Sequence, residues 1–303
     1  GYNRIWLAEH HNMAGIASAA TSVVIGQVAN ATKSIRVGAG GVMLSNHSPL
    51  IIAEQFGTLE SLFPGRVDLG VGRAPGSDGF TARAIRRGMN QAPDNFLSDL
   101  GELLAFLSPS QSNQRVQAFP GVGTNVPVLI LGSSLFGAQV AASMGLPYAF
   151  ASHFAPELLV QALSVYRQNF CPSETLSAPY VIAGLNFFAA ETDEKAKNLF
   201  TSLQIQFANL FRGAPGKLQR PVDDIFDYVS SSEMVALERA LKYSIVGSYE
   251  TALGKTKEFL DLTLADELIL TAQIFEHRAR VESFEIGAMV CRELVKEHSK
   301  EAA

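Results

Sequence analysis

The sequence predicts an α/β fold, a (β/α)8 TIM barrel, on three observations. Strand-like segments alternate with helical ones along the whole 303-residue chain, the strands are apolar on both parities, and the turn after the first strand carries no glycine. Alternation favours parallel strands joined by right-handed crossovers. Apolar residues on both parities are what a sheet covered on two faces requires. A doubly wound open sheet usually has a glycine-rich phosphate turn after its first strand, and RIWLAEHH has none.

The elements follow in order. RIWLA is the first strand, and ASAATSVVIGQVANAT is a helix with apolar residues three and four apart. IRVGAGGVML, the helix PLIIAEQFGTLESLF and the strand RVDLGVG come next. Beyond the polar stretch SPSQSNQRVQAFPGVGTNV the order resumes with VPVLIL and GAQVAASMG, PYAFA and APELLVQALSVYRQNF, PYVIAGLNFFA and DEKAKNLFTSLQIQFANLF, then ELILTAQI and a last helix from His277. This gives seven strands, beginning near Arg4, Ile35, Arg66, Val126, Pro147, Pro179 and Asp266. An eightfold barrel needs one further strand and helix, roughly 30 residues. The expectation is therefore a barrel lacking its first strand and helix through N-terminal truncation. One domain is expected over residues 1–303, with an insertion around 212–246 that contains GAPGKLQRP and a capping box, Ser230-x-x-Glu233, ahead of EMVALERALKY.

Composition narrows the function classes. Hydrophobic residues make up 47% of the chain and charged residues 17%, enough apolar surface for a packed core. A net charge of −5 gives no broad attraction to nucleic acid or to an anionic membrane, and neither is expected as a partner. Cys171 and Cys291 form no C-x-x-C pair and no disulfide framework. With no membrane-spanning apolar run and no signal-peptide pattern, the expected location is the cytoplasm.

In a (β/α)8 barrel the site lies at the carboxyl ends of the strands. The polar residues there are Glu9, His10 and His11, then Arg73, Ser133 with Ser134, Ser152 with His153, and Thr271 with Gln273. Adjacent histidines on an extended segment point to opposite sides, so His10 and His11 do not share a metal without a turn between them, and no third and fourth ligand is evident. No metal is expected; each histidine is either hydrogen-bonded in the structure or a general base. Glu9 either orients a neighbour or pairs with a buried arginine. Gly40 and Gly41 interrupt a good strand, marking either a barrel corner or the approach of a planar ligand. GVGRAPG imitates a dinucleotide fingerprint, but Pro75 replaces the third glycine. Arg73 remains as a cation at a strand end, while Arg83, Arg86 and Arg87 read as a solvated helix face. At LGSSLFGAQVAA a strand runs into a helix N-terminus behind two serines, an arrangement that either holds a phosphate or caps the helix.

These stretches together resemble the luciferase-like flavin monooxygenases. WLAEHHNM, IRVGAGGVMLSNHSPLIIAEQFGTLESLFPGRVDLGVGRAPG, VPVLILGSSLFGAQVAA, PYAFASHFAP and ELILTAQIFEHRAR carry the likeness over nearly the whole chain. The resemblance implies a TIM barrel using FMN, with the phosphate near the fifth strand of the full barrel and a non-proline cis peptide at the third. His10 matches the imidazole beside the reacting flavin carbon, and Gly40-Gly41 matches the cis peptide. Arg73, Ser133, Ser134 and Gly137 match the phosphate cradle, and His153 is assigned to the substrate pocket. The chain departs from bacterial luciferase at Ser133, where that protein has a carboxylate, and at Gly72, which replaces a cysteine.

The activity so implied is monooxygenation. FMNH⁻ from a separate flavin reductase reacts with O2 to give a C4a-hydroperoxide, which oxygenates an aldehyde or other small organic substrate. A homodimer is implied by the same analogy. The alternatives are a deazaflavin-dependent hydride-transfer oxidoreductase and a non-catalytic flavin-binding protein.

Overall fold

The computed structural model describes residues 1–74, 79–85 and 95–301, with side chains through residue 297. Pro75, Arg86 and Arg87 lie outside the described residues. The chain separates into two compact units, the first formed by Gly1–Gly132, Phe136–Tyr148 and Asn169–Pro179, the second by Ser133–Leu135, Ala149–Gln168 and the chain from Tyr180 onward.

In the first unit β1 (Arg4–Leu7), β2 (Arg36–Met43), β3 (Val67–Gly72) and β4 (Val128–Gly132) pair in sequence order, all parallel. Every residue of β3 is buried, as its apolar character on both parities predicts. The helices are α1 (Thr21–Ala31), α2 (Pro49–Leu62), α3 (Gly79–Ile85), α4 (Phe96–Leu107) and α5 (Leu135–Met144). Pro49 opens α2 at a position where its missing N–H costs nothing. Ile25 of α1, Phe56 of α2, and Leu100 and Leu103 of α4 are fully enclosed with Leu69 of β3.

A buried carboxylate ties the first three strands together. Asp68 of β3 accepts from Arg4 Nη1 at 2.8 Å, from Trp6 Nε1 at 3.1 Å and from Arg36 Nε at 2.9 Å, so both arginines of the strand starts converge on one side chain. Further along, the polar stretch after α4 forms neither helix nor strand between residues 109 and 127. It packs against α2 so closely that a Cβ on Gly57 would lie 2.1 Å from the Cα of Gly121.

In the second unit β6 (Val181–Ala189) lies between two parallel neighbours. Its first part pairs with β8 (Glu267–Thr271) from Ile182 to Asn186, and its last three residues with β7 (Ile245–Gly247). All nine residues of β6 are buried. Three-residue β5 (Tyr148–Phe150) falls where the two units divide. Around β6 stand α6 (Leu159–Gln168), α7 (Asp193–Phe211), α8 (Ser231–Ala240), α9 (Tyr249–Thr263) and α10 (His277–Glu301). Phe188, Leu203, Leu237, Val246 and Ile274 belong to one apolar cluster.

The predicted strands all form, each within two residues of its expected start, and the predicted helices form as well. The structure adds β7, α4 and α9, which were not anticipated, while Arg83 lies exposed on α3, as its reading as a solvated helix face expects. β7 is too short to show a period in sequence. Residues 212–246 hold a 3-10 turn (Ile225–Asp227), α8 and the first two residues of β7. The Ser230–Glu233 capping box is present in both directions. No described helix is long and apolar enough to cross a membrane.

Candidate functional site

Within the first unit the strand ends bring several predicted residues to one rim. Glu9, His10 and His11 follow β1, Gly40 and Gly41 lie in the second half of β2, and Arg73 follows β3. The Gly40–Gly41 peptide is cis, as the resemblance implies. The register between β2 and β3 shifts between Gly40 and Val42, so the glycines sit at a bulge.

Protein fills the positions that side chains on these glycines would take. A Cβ on Gly40 would lie 2.9 Å from Trp6 Cβ, and one on Gly41 would lie 2.7 Å from the Gly70 carbonyl oxygen and 3.4 Å from Leu131 Cδ2. These contacts account for glycine at both positions, since a side chain on either would meet a neighbouring strand. They also bring Leu131, two residues before the Ser133–Ser134 turn, beside the end of β2.

Arg73 is exposed, and its guanidinium carbon stands 4.3 Å from the ring centroid of Phe136 in the first turn of α5. Phe136 in turn meets Phe96 edge-on at 6.1 Å. Gly137, the next residue, is buried, and a Cβ there would stand 3.4 Å from Tyr148 and 3.6 Å from the Cα of Gly132, so the helix start is drawn close against the end of β4. First-turn N–H groups have no acceptor within their helix. A fixed cation beside such a helix start fits an anionic group, and these residues accordingly fit the phosphate of a flavin.

Glu9 pairs with histidines rather than with an arginine. It is 1% exposed, and its Oε1 lies 2.8 Å from His11 Nε2 and 2.8 Å from His47 Nε2. The Met43 N–H donates to its Oε2 at 3.0 Å, and the Asn46 amide reaches Oε1 at 3.5 Å. Burial pushes this carboxyl up, but hydrogen bonds from His47, His11 and the Met43 N–H outweigh it and hold it below the usual carboxylate range. The expectation that Glu9 orients a neighbour is met by two histidines. The sequence reading missed His47, although it follows a strand end in SNHSP much as His10 does in AEHHN.

The second unit holds Ser133, Ser134 and His153. Both serines are half-buried, just ahead of α5. His153 Nδ1 is enclosed with no hydrogen-bond partner, and it stands 2.5 Å from where a Cβ on Gly184 would be. Burial pushes this imidazole down to about 4, so it is neutral at pH 7. Its own carbonyl accepts from Asn186 Nδ2 at 2.5 Å, and the Thr271 hydroxyl donates to Asn186 Oδ1 at 3.0 Å. Ser152 donates to the Gly184 carbonyl at 2.6 Å. Elsewhere in this unit a cavity of about 400 Å³ is lined by Leu218, Arg220, Tyr228 and Phe275 among others, and contains none of the predicted residues.

The family model for "Luciferase-like monooxygenase" matches residues 1–224. A "Luciferase-like monooxygenase" of Escherichia coli (strain K12) is 50% identical over 295 residues, covering 97% of this chain and 88% of that protein. The chain belongs to the luciferase-like monooxygenase family. Among solved structures of similar proteins, apo-MsnO8 shares 31% identity with a TM-score of 0.88, over 96% of this chain and 88% of its own. The oxygenating constituent of 3,6-diketocamphane monooxygenase from Pseudomonas putida, a type II Baeyer-Villiger monooxygenase in complex with FMN, has the same fold. It is 16% identical with a TM-score of 0.63, over 94% of this chain and 86% of its own. This luciferase-like chain is thus of the α/β barrel class that its strand pattern predicts.

Proposed function

We propose that the protein is an FMN-dependent monooxygenase that receives reduced flavin from a separate reductase and uses O2 to oxygenate a small, aldehyde-like organic molecule. The observation that carries this reading is the Arg73–Phe136 stack at the first turn of α5, on the rim where His10 follows β1. Arg73 and the backbone at Gly137 hold the phosphate, with the Ser133 and Ser134 hydroxyls assigned to it on sequence grounds. Gly40 and Gly41 present backbone alone to the isoalloxazine. His10 holds and returns the proton that the oxygenation step requires. His153, neutral and desolvated, belongs to the substrate pocket and accepts no proton at working pH. Reduced FMN, when bound, supplies the two electrons that activate O2. The protein's share is to position the reactants and exclude water. By family analogy the working form is a cytoplasmic homodimer.

The test is rapid mixing of protein carrying reduced FMN with air-saturated buffer and a panel of aldehydes, with oxygenated product measured. Wild-type protein is expected to give product, and His10→Ala to lose it at least a hundredfold while flavin affinity changes less than threefold. Full oxygenation by His10→Ala removes the assigned role. Hydride exchange with a reduced deazaflavin, without oxygenation, overturns the reading in favour of the deazaflavin enzyme. Tight flavin binding with neither reaction points to a flavin-sequestering protein.

A further inference from the structure

We propose that Glu9, His11 and His47 form a site for a divalent first-row transition metal ion, of which zinc is the simplest occupant. Their donor atoms all lie within 4.8 Å of one another, and Glu9 Oε1 is 2.8 Å from both Nε2 atoms. The cluster is built from two places in the chain's path. Glu9 and His11 leave the end of β1, and His47 follows the 3-10 turn Leu44–Asn46 after β2. The carboxylate is enclosed, whereas the side chains of His11 and His47 are 22% and 27% exposed, which gives an ion a route in and a place for a water ligand.

Charge and donor chemistry point the same way. Glu9 Oε1, enclosed by the fold, has the imidazole nitrogens of His11 and His47 as its titratable neighbours. The two arginines nearest in sequence pattern, Arg4 and Arg36, are committed to Asp68. Two imidazole nitrogens and one carboxylate oxygen make a set that suits zinc, iron(II), cobalt, nickel or copper better than magnesium or calcium. Zinc holds such donors at about 2.0–2.2 Å, which in a tetrahedron spaces them about 3.3 Å apart. Each imidazole then draws back by about 0.5 Å from its hydrogen-bonded position. A neutral imidazole carries its proton on Nδ1 once Nε2 binds the ion, and an imidazolium releases one proton to water. The Met43 N–H and the Asn46 amide already fix the carboxylate from behind, which is how outer groups orient a metal ligand.

Untagged, chelator-stripped protein titrated with Zn²⁺, and separately with Co²⁺, tests the site with no flavin present, so the result is independent of the oxygenase reading. One equivalent is expected to bind, with Co²⁺ giving the intense visible bands of a low-coordinate site. His11→Ala and His47→Ala should each weaken binding at least tenfold. His277→Ala, at the exposed start of α10, should leave binding unchanged. If an alanine variant misfolds by circular dichroism, His47→Gln keeps a donor to Glu9 while removing the metal-binding nitrogen, and the same tenfold loss is expected. No binding by wild-type protein, or equal binding by wild type and the His11→Ala/His47→Ala double variant, overturns the proposal and leaves a hydrogen-bonded cluster alone.

Discussion

Two buried carboxylates in the first unit, 1% exposed each, meet different partners. Glu9 takes two imidazoles, a backbone N–H and an amide, whereas Asp68 takes two guanidinium groups and an indole. Removing one partner of a buried ion pair strands the others, which costs about 3 kcal/mol or more. Asp68→Ala is therefore expected to lower the unfolding free energy by about 3 kcal/mol, measured by urea denaturation, because Arg4 and Arg36 lose their shared acceptor. A change under 0.5 kcal/mol would mean that water replaces the carboxylate without loss. The sequence places Glu9 and the histidines at a strand end but gives no sign of which acid the arginines choose. That choice depends on strand register, since Arg4 stands opposite Arg36, and Gly38 opposite Asp68.

At the level of elements, one serine joins the last helix to the central strand of the second unit. Ser283 of α10 is wholly buried, donates to the Phe187 carbonyl at 3.1 Å and accepts from the Ala189 N–H at 3.0 Å. Those backbone groups lie just past Asn186, where β6 ends its pairing with β8. Ser283→Ala leaves both unsatisfied and is expected to cost about 1–3 kcal/mol. Hydrogen exchange at the Ala189 amide should accelerate with it, and unchanged protection there counts against the helix–strand tie. The capping box at Ser230 was legible because its two members lie three residues apart in sequence. α4 and α9 were passed over although each carries apolar residues at helical spacing; α4 buries Phe96, Leu100, Leu103 and Leu107. Their neighbours explain the omission: α4 follows a glycine- and arginine-rich stretch, and α9 follows a strand of three residues.

Taken over the whole molecule, acid stability follows from groups whose protonation differs between the folded and unfolded chain. An unfolded histidine takes up a proton near pH 6.5, but folded His153 does so only near pH 4. Between these values the unfolded chain binds more protons, so stability falls as the pH drops, by about 3 kcal/mol in all, and is unaffected above about pH 7. Glu9, held below its ordinary range, adds a loss of the same sign at lower pH. Thermal unfolding of His153→Gln should show a shallower decline from pH 6.5 to 4 than wild type, and parallel curves would remove His153 as the source. The seven predicted strands, the barrel class, the last helix and the place of His10 after β1 were determined by sequence alone, because alternation and burial on both faces are local properties of the chain. Tertiary structure alone decided that Glu9 joins His11 to a histidine 36 residues further on, that Arg73 lies over Phe136, and that Trp6 fills the position a side chain on Gly40 would take. Such partners come from different strands and helices, and only the register and packing of those elements brings them within reach.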